Sequence, residues 1–330
     1  MARYFWLSEH VNQNTEGWHY ELYRPWKRYD AVVFLKSMND KAYALMKKLQ
    51  RQGVPCIFDV NVNYFYQEGK EYYPSMFPSE VQQEQVKRMT QNADAVIADS
   101  SFVYKQCKKY NEHTRWIPDI VNTSNAGFQV WKPDGMKLRL LWSGQSVKLF
   151  ELLAIEDVLL AWRDRLELVL ITNDLEEINR LYPEIRTRLR KLLSNVEPTI
   201  IPYESIQQLF SVYANGGVLV SPRFLDNHYN MGHTEWKITL AMACGRVAIC
   251  SPVPSYEQVA ERSGGQGIQV CNDAETWSQA FDALLSNRFD WEAESCAARK
   301  VVEQYYSPVA VVPDHIDWMM KASQLRAEQL

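Results

Sequence analysis

The stretch AVVFLKSMNDKAYALMKKLQRQGVPCIFDV, residues 31–60, decides the fold class because it holds a strand, a helix and a second strand in that order. The apolar run AVVFL is continuous, which is typical of a strand buried on both faces of a parallel sheet. A helix pattern closed by Gly53 follows, and the next apolar run, VPCIFDV, predicts the second strand. The apolar positions that share one face of the helix, at the i, i+3, i+4, i+7 spacing, are Ala42, Leu45, Met46 and Leu49.

Before this stretch, the N-terminal segment MARYFWLSEH favours a short strand. After it, the alternation of strands and helices continues. Residues 79–82 match a capping box that opens a helix, AVIA predicts a strand, Ser100 begins another helix, and RWIPD predicts a strand. Residues 122–136 have the Asn, Gly and Pro content of a linker. The alternation then restarts with the predicted strands LRLLWSG, LELVLIT, TIIPY and GVLVSP, a buried strand after the turn at Gly245, and GIQV. We therefore expect two doubly wound, parallel-sheet α/β domains in tandem.

Composition and charge narrow the class of protein. The 330 residues exceed one usual domain, and the formal net charge of −4 is dispersed along the chain, which argues against a nucleic-acid-binding protein. The six cysteines form no Cys-x-x-Cys pair and resemble reduced core residues. No signal-peptide core and no apolar segment of membrane-spanning length is found. We expect a cytoplasmic protein, with peripheral contact to the inner face of a membrane left open, and the sequence does not disclose its oligomeric state.

Two doubly wound domains in tandem place the carboxyl ends of two sheets on either side of a cleft, where this architecture binds ligands. The Gly-x-Gly-x-x-Gly dinucleotide motif between the first strand and helix is absent from the sequence, and so is the Walker phosphate-binding motif. Hydride transfer and nucleoside-triphosphate hydrolysis are therefore less favoured functions.

Several segments together resemble the GT-B glycosyltransferases of the family 4 kind, which include bacterial polysaccharide enzymes. The segments, in the family's order and spacing, are DAVVFLKS, KLQRQGVPCIFDVN, NADAVIADSSFV, RWIPDIVN, LRLLWSGQSVK, GVLVSPRF, WKITLAMACGRVAICSPVPSYEQV and AETWSQAFDALLSN. The resemblance implies a trimmed acceptor-side domain at residues 1–124, a linker at 125–137, a nucleotide-sugar domain at 138–312 and a C-terminal helix at 313–330 that crosses back to the first domain. It also implies transfer of a sugar from a nucleotide-diphosphate sugar to a saccharide, glycolipid or other hydroxyl acceptor, with retention at the anomeric carbon.

The cluster HTEWK, residues 233–237, opens a helix that is predicted to begin near Thr234. The first backbone N–H groups and the dipole of a helix make an anion site, and Lys237 adds a positive charge one turn from His233. The diphosphate of a nucleotide sugar is the natural occupant, because donors aimed at a leaving group of growing negative charge stabilise the transition state most. The alternative is that Thr234 is an ordinary N-cap and Lys237 an exposed first-turn residue.

Other candidates for the donor site follow predicted strands of the second half. By resemblance, Lys148 in SGQSVK is the basic residue on the diphosphate, with a solvated lysine as the alternative, and Gly144 lets the backbone approach the ligand. We expect Lys148 and Lys237 to converge on one diphosphate as catalytic cations. Arg223 is a candidate for a bidentate phosphate contact, with an interdomain ion pair as the alternative. The remaining donor-binding candidates are Tyr203, Asp226, Asn230, His233, Thr234 and Glu235.

Polar residues in FDVNVNYF accompany and follow a buried strand of the first half. Asp59 is the candidate for a catalytic contact, and Asn61, Asn63 and Tyr64 for the acceptor sugar, with turn formation as the alternative. The second half has no Asp-x-Asp pair near the phosphate site, and Asp226 stands alone in RFLDNHYN. Since a magnesium or manganese ion on a diphosphate needs well-placed carboxylates, we expect transfer without metal and without a cofactor besides the donor.

The sequence departs from the family pattern at two positions. The family usually carries two glutamates with seven residues between them, and the second one holds the ribose hydroxyls, whereas this chain has Gly232 and Leu240 there. Either other groups bind the ribose, with Glu235 and Asp226 as candidates, or donor binding is weakened. Two alternatives to a transferase therefore stay open: a non-catalytic GT-B partner subunit, and a nucleotide-sugar epimerase or hydrolase on the same architecture.

The C-terminal segment SPVAVVPDHIDWMMKASQLRAEQL predicts an extended piece followed by a helix that Asp314 caps. Ile316, Met319 and Met320 fall on one side of this helix, and Trp318, Ala322 and Leu325 form a neighbouring strip. A terminal helix with so broad an apolar surface must bury most of it. We expect it to cross back and pack against the first domain.

Overall fold

The computed structural model describes residues 2–135 and 137–328, and in these ranges it contains two parallel sheets, each with helices packed against it. The first sheet has the strand order β1-β2-β3-β4, all parallel, with Val32 beside Cys56 and Ile57 beside Ala95. Its strands are β1 (Val32–Leu35), β2 (Cys56–Val60), β3 (Ala95–Ala98) and β4 (Thr114–Trp116), and its helices are α2 (Asp40–Arg51), α3 (Glu80–Asn92) and α4 (Ser101–Cys107). Every residue of β2 and β3 is buried, as the continuous apolar runs predict.

The second sheet has the order β10-β9-β8-β5-β6-β7, again all parallel. Its strands are β5 (Leu138–Gly144), β6 (Leu166–Thr172), β7 (Thr199–Pro202), β8 (Val218–Ser221), β9 (Ala248–Cys250) and β10 (Ile268–Val270). Its helices are α5 (Glu156–Trp162), α6 (Pro183–Val196), α7 (Ile206–Ala214), α8 (His228–Met231), α9 (Trp236–Ala243), α10 (Pro254–Ser263), α11 (Ala274–Leu285) and α12 (Trp291–Tyr305), with a 3-10 segment at Ser146–Ile155. The strand order reverses between β5 and β8, which is where a doubly wound sheet opens a crevice for ligand.

The N-terminal residues form a helix, α1 (Ala2–Asn14), so the prediction of a strand there is wrong. Leu7 and Val11 are buried one turn apart, and Trp6 stacks on Phe210 of the second domain, with 6.3 Å between ring centroids. Leu7 and Val11 have the i, i+4 spacing of a helix. The prediction considered only ten residues, and so short an apolar run does not distinguish a helix from a strand.

The last helix, α13, runs from Pro308 to Ala327 and crosses to the first domain. It begins at Pro308 with Ser307 as its N-cap, so the predicted extended piece and the Asp314 cap are wrong: Pro is favoured at the first helical position, and Pro313 is accommodated inside the helix. The predicted crossing is confirmed by three contacts with the first domain. Arg115 pairs with Asp314, Trp318 Nε1 donates to Val96 O at 3.0 Å, and Arg326 pairs with Asp94 at 3.1 Å.

The loop between β2 and α3, residues 61–79, joins the two domains a second time. Its Tyr72 is 1% exposed and belongs to the apolar core of the second domain, together with Tyr73 and Met76. The Tyr72 ring stacks on both Phe150 and Phe224, with centroid distances of 4.5 and 4.6 Å, and those two rings also stack on each other. The first domain therefore contributes a side chain to the core of the second. We call residues 61–79 the crossing loop.

Among the described residues, no helix combines the length and the apolar character that crossing a membrane requires.

Candidate active site

A cavity of about 510 Å³ lies between the two domains, at the carboxyl ends of the strands of both sheets. The first domain lines it with polar residues that follow β1, β2, β3 and β4, which are Lys36, Asn61, Asn63, Tyr64, Asp99 and Asp119. The second domain lines it mainly with residues that follow β5 and β8, among them Gln145, Lys148, Tyr229, His233 and Thr234, and with Arg180. The parallel topology produces this arrangement, because it brings all strand carboxyl ends to one edge of each sheet.

Helix α9 begins at Trp236, and Glu235, not Thr234, occupies its N-cap position. No side chain caps this helix: the Glu235 carbonyl accepts the N–H groups of Ile238 and Thr239, and the N–H groups before them have no helical partner. The helix therefore begins two residues further along the chain than the predicted start near Thr234, while His233 and Thr234 themselves line the cavity.

A buried ion cluster joins α9 to the segments after β5 and β8. Glu151 is fully buried, Arg223 donates from Nη1 to its Oε1, and Lys237 Nζ lies 3.7 Å from its Oε2. Arg223 also donates from Nη2 to the Tyr256 hydroxyl at 3.2 Å. Two cations thus share one carboxylate, which leaves the cluster with an excess of positive charge.

The ammonium group of Lys237 is enclosed by other parts of the protein. Its Nζ lies 4.6 Å from the centroid of the buried Trp142 ring, and its side chain is only 14% exposed. Gly144 has a φ of 155°, and a Cβ there would lie 3.0 Å from Trp142 Cη2 and 3.5 Å from Lys237 Nζ. Gly144 is therefore required where the Trp142 ring and the lysine both approach the backbone.

Positive charges concentrate around His233. Burial lowers the pKa of His233 well below its usual value, and the nearby cations lower it further; these are Arg223, Lys148, Lys237 and Lys36. Burial also lowers the pKa of Lys148, and it lowers that of Lys237 to about 7, with Arg223 adding to the effect on Lys237. His233 is therefore neutral at physiological pH, and this end of the cavity presents basic groups with Glu151 as their buried counter-charge.

The predicted acceptor residues divide between the cavity and the core. Asn61, Asn63 and Tyr64 line the cavity. Asp59 is fully buried in β2, accepts a hydrogen bond from the Tyr4 hydroxyl, and is not among the residues that line the cavity.

Several predicted donor-site residues lie outside the cavity lining as well. Tyr203 is exposed after β7, and Asp226 accepts a hydrogen bond at 2.9 Å from Tyr72 of the crossing loop. Asn230 is buried and donates to Phe224 O at 2.9 Å, and the Glu235 side chain is buried. Arg223 and Lys237, which both contact Glu151, and Gly144 are likewise not among the residues that line the cavity.

Several cavity residues were not predicted from the sequence. Lys36, Asp99 and Asp119 follow strands, so the rule that carboxyl ends of parallel strands carry the site would have found them. Glu151 has a different signal: it is the one acidic residue in the otherwise apolar stretch LFELLAI. A lone charge in such a stretch is buried only when it is paired.

The two positions that depart from the family pattern are both packed. Leu240 is 1% exposed within α9. A Cβ on Gly232 would lie 3.3 Å from Asn63 Cβ, 3.3 Å from His228 O and 3.5 Å from Phe102 Cδ1, so a side chain at 232 would press against the first domain.

No group of three or more His, Cys, Asp and Glu residues within 2–135 and 137–328 is arranged to hold a metal ion.

The fold is similar to that of solved glycosyltransferases. HepE from Anabaena, solved with UDP and glucose, is 12% identical, with a TM-score of 0.65 over 88% of this chain and 78% of HepE. A glycosyltransferase from Rickettsia africae is 13% identical, with a TM-score of 0.63 over 97% of this chain and 80% of that one. The sucrose-phosphate synthase of Thermosynechococcus elongatus is 17% identical, with a TM-score of 0.64 over 91% and 74%.

No family model matches the chain, and no curated protein sequence matches it. At identities this low, structural similarity establishes the architecture. Two parallel-sheet domains facing a cleft, with a terminal helix that returns to the first domain, make this chain a member of the GT-B fold.

Proposed function

We propose that the protein is a glycosyltransferase that uses a nucleotide-diphosphate sugar. The observation that carries the proposal is the excess of positive charge around His233, at a cavity between the carboxyl ends of two parallel sheets. Lys148 lines the cavity, Lys237 and Arg223 lie outside its lining but close enough to act on His233, and the three come from different segments of the second domain. A diphosphate would compensate their charge and accept hydrogen bonds from the opening of α9.

The proposed chemistry follows from this electrostatic arrangement. The bond between the anomeric carbon and the phosphate oxygen breaks, the acceptor oxygen bonds to that carbon, and the departing diphosphate takes up the proton of the acceptor hydroxyl. Negative charge grows on the departing diphosphate, so cations fixed in a dry site stabilise the transition state more than the ground state. We propose that these cations replace a metal ion, and that the configuration at the anomeric carbon is retained, as in the family 4 enzymes that the sequence resembles.

The first-domain wall is proposed to hold the acceptor. Asn61, Asn63 and Tyr64 offer amide and hydroxyl groups suited to a saccharide, alone or on a glycolipid. Asp59 lies outside this wall, so we assign it a structural role instead of the catalytic one.

The donor is to be identified by calorimetry with a panel of nucleoside diphosphates, followed by turnover with the matching hexose donors. HepE has been solved with UDP and with UDP-glucose, which makes the uridine pair the first to test here. The proposal predicts that one nucleoside diphosphate of the panel binds and that the nucleotide is released only when an acceptor is present. The rate of release should be unchanged in the presence of a chelator. Strict dependence on added manganese would remove the metal-free part of the proposal.

A non-catalytic partner subunit is the second candidate, favoured by the burial of Leu240 where the family has a glutamate. Such a subunit would bind no nucleoside diphosphate in the panel. An epimerase or hydrolase would instead release or isomerise the sugar without an acceptor, and product analysis separates it from a transferase.

A further inference from the structure

We propose that the turn Leu22–Arg28, in the first domain, is a docking tip for a membrane surface that contains anionic lipids. Leu22 is 89% exposed and Trp26 is 79% exposed. Burial of a large exposed apolar side chain in an apolar environment is favourable. This turn carries two such side chains, four residues apart. The proposal is independent of the transferase activity.

The turn is held in shape by its neighbours. The Tyr29 hydroxyl accepts the Arg24 N–H at 2.9 Å and donates to Glu21 at 3.1 Å, and Lys27 Nζ pairs with Glu21 at 2.7 Å. The Tyr23 and Tyr29 rings pack against each other with 5.4 Å between centroids. Leu22 and Trp26 are therefore displayed by an ordered turn, and docking does not have to order a loose segment first.

The charge of the turn identifies the surface that it fits. Arg24, Lys27 and Arg28 lie within seven residues, no acidic residue lies between Glu21 and Asp30, and the whole chain has a net charge of −4. Lys27 is neutralised by Glu21, whereas Arg24 and Arg28 form no ion pair within the described part of the chain. This is the composition of a membrane-interface anchor: Trp lies at the level of the lipid headgroups, Leu points toward the acyl chains, and Arg lies beside anionic headgroups.

The size of the tip favours a lipid surface over a protein partner. Two side chains on one turn offer roughly 400 Å² at most, against about 800 Å² per partner in a stable protein interface. A bilayer sets no such minimum, because shallow insertion of a few side chains adds to the attraction of the basic residues.

The test is flotation of the full chain with vesicles of equal parts phosphatidylcholine and phosphatidylglycerol, compared with pure phosphatidylcholine. We expect binding to the mixed vesicles only, and a loss of about tenfold or more in both Trp26→Ala and the double variant Arg24→Glu/Arg28→Glu. The apolar control is Val309→Ser, an equally exposed site on α13, and the charge control is Lys191→Glu/Lys300→Glu; both should bind as the wild type does.

Three outcomes would overturn the proposal. The first is no binding to the mixed vesicles. The second is binding that the tip variants leave unchanged or that the control variants reduce equally. The third is self-association that Trp26→Ala abolishes in the absence of vesicles, which would assign the tip to a second copy of the chain. Light scattering without lipid detects the last of these.

Discussion

Lys237 Nζ lies 3.7 Å from Glu151 Oε2, too far for a hydrogen bond but close enough for a strong electrostatic interaction in a buried site. The same carboxylate accepts a hydrogen bond from Arg223. Glu151 therefore stabilises two positive charges at once, and the ammonium of Lys237 has donors to spare for a ligand. This relationship underlies the first three predictions.

Replacing either Lys148 or Lys237 by alanine should weaken binding of a nucleoside diphosphate by about 1.5 to 3 kcal/mol, the usual worth of a hydrogen bond to a charged group. Calorimetry measures the change directly. Lys191→Ala, on the exposed face of α6, serves as the control and should bind normally. Unchanged affinity in both lysine variants would mean that the diphosphate does not bind here.

The stability of the ligand-free protein should depend on the protonation of Lys237. Its pKa is lowered to about 7 by burial and by Arg223, so above this pH the unfolded chain holds a proton that the folded chain has lost. The free energy of unfolding should consequently rise with pH from about 7 toward the ordinary lysine range. Urea unfolding at several pH values should show a flatter dependence in Lys237→Met, and equal slopes would contradict the assignment.

Glu151→Gln should shift the pH dependence of diphosphate binding to lower pH. The Glu151 carboxylate raises the pKa of Lys237, so its removal lets Lys237 lose its proton at a lower pH. Binding should be measured by calorimetry across the neutral range, at a temperature where the variant is folded, because Arg223 also loses its partner. Glu156→Gln is the matched control: it breaks an exposed ion pair with Arg188 and should leave the midpoint in place.

Tyr72→Ala should destabilise the protein by about 3 to 5 kcal/mol, because it opens a cavity beside the Phe150 and Phe224 rings. Tyr72→Phe keeps the stacked ring and loses only the hydrogen bond to Asp226, about 1 kcal/mol. Urea unfolding of both variants measures the difference. Equal losses would show that the hydroxyl, not the ring, holds the crossing loop.

Removal of residues 308–330 should expose the linker at 125–135 to protease. The truncation deletes the partners of Arg115 and Asp94 and uncovers apolar surface on the first domain. Limited chymotrypsin digestion should then cut after the exposed Phe128 faster than in the full chain. An unchanged digestion rate would mean that the crossing loop alone keeps the domains together.

Much of the fold could be predicted from the sequence, because continuous apolar runs and i, i+4 spacings are local signals. The strands of both sheets and the Ser79 capping box lie where the sequence predicts them. The two helix errors have different causes. Helix α1 is stabilised by the long-range contact of Trp6 with Phe210, whereas α13 has local start signals in Ser307 and Pro308 and continues through Pro313.

The residues of the candidate site that follow strands could be predicted from the sequence. Residues whose position depends on a contact with a distant part of the chain could be predicted less well. Lys148, His233 and Asn63 line the cavity as the order of the segments suggested. Asp226 does not, because Tyr72, more than a hundred residues away along the chain, binds its carboxylate. Glu151 was missed for the related reason that its partners come from distant segments.

The burial of Tyr72 also limits how such proteins can be recombined. A chimera that takes residues up to the linker from one GT-B protein and the remainder from another separates the crossing loop from the Phe150 and Phe224 rings that receive it. Exchange of domains at the linker would leave the Phe150 and Phe224 rings without the Tyr72 ring that packs on them. The two domains can therefore be exchanged as separate modules in this chain only if the crossing loop and these two rings are transplanted together.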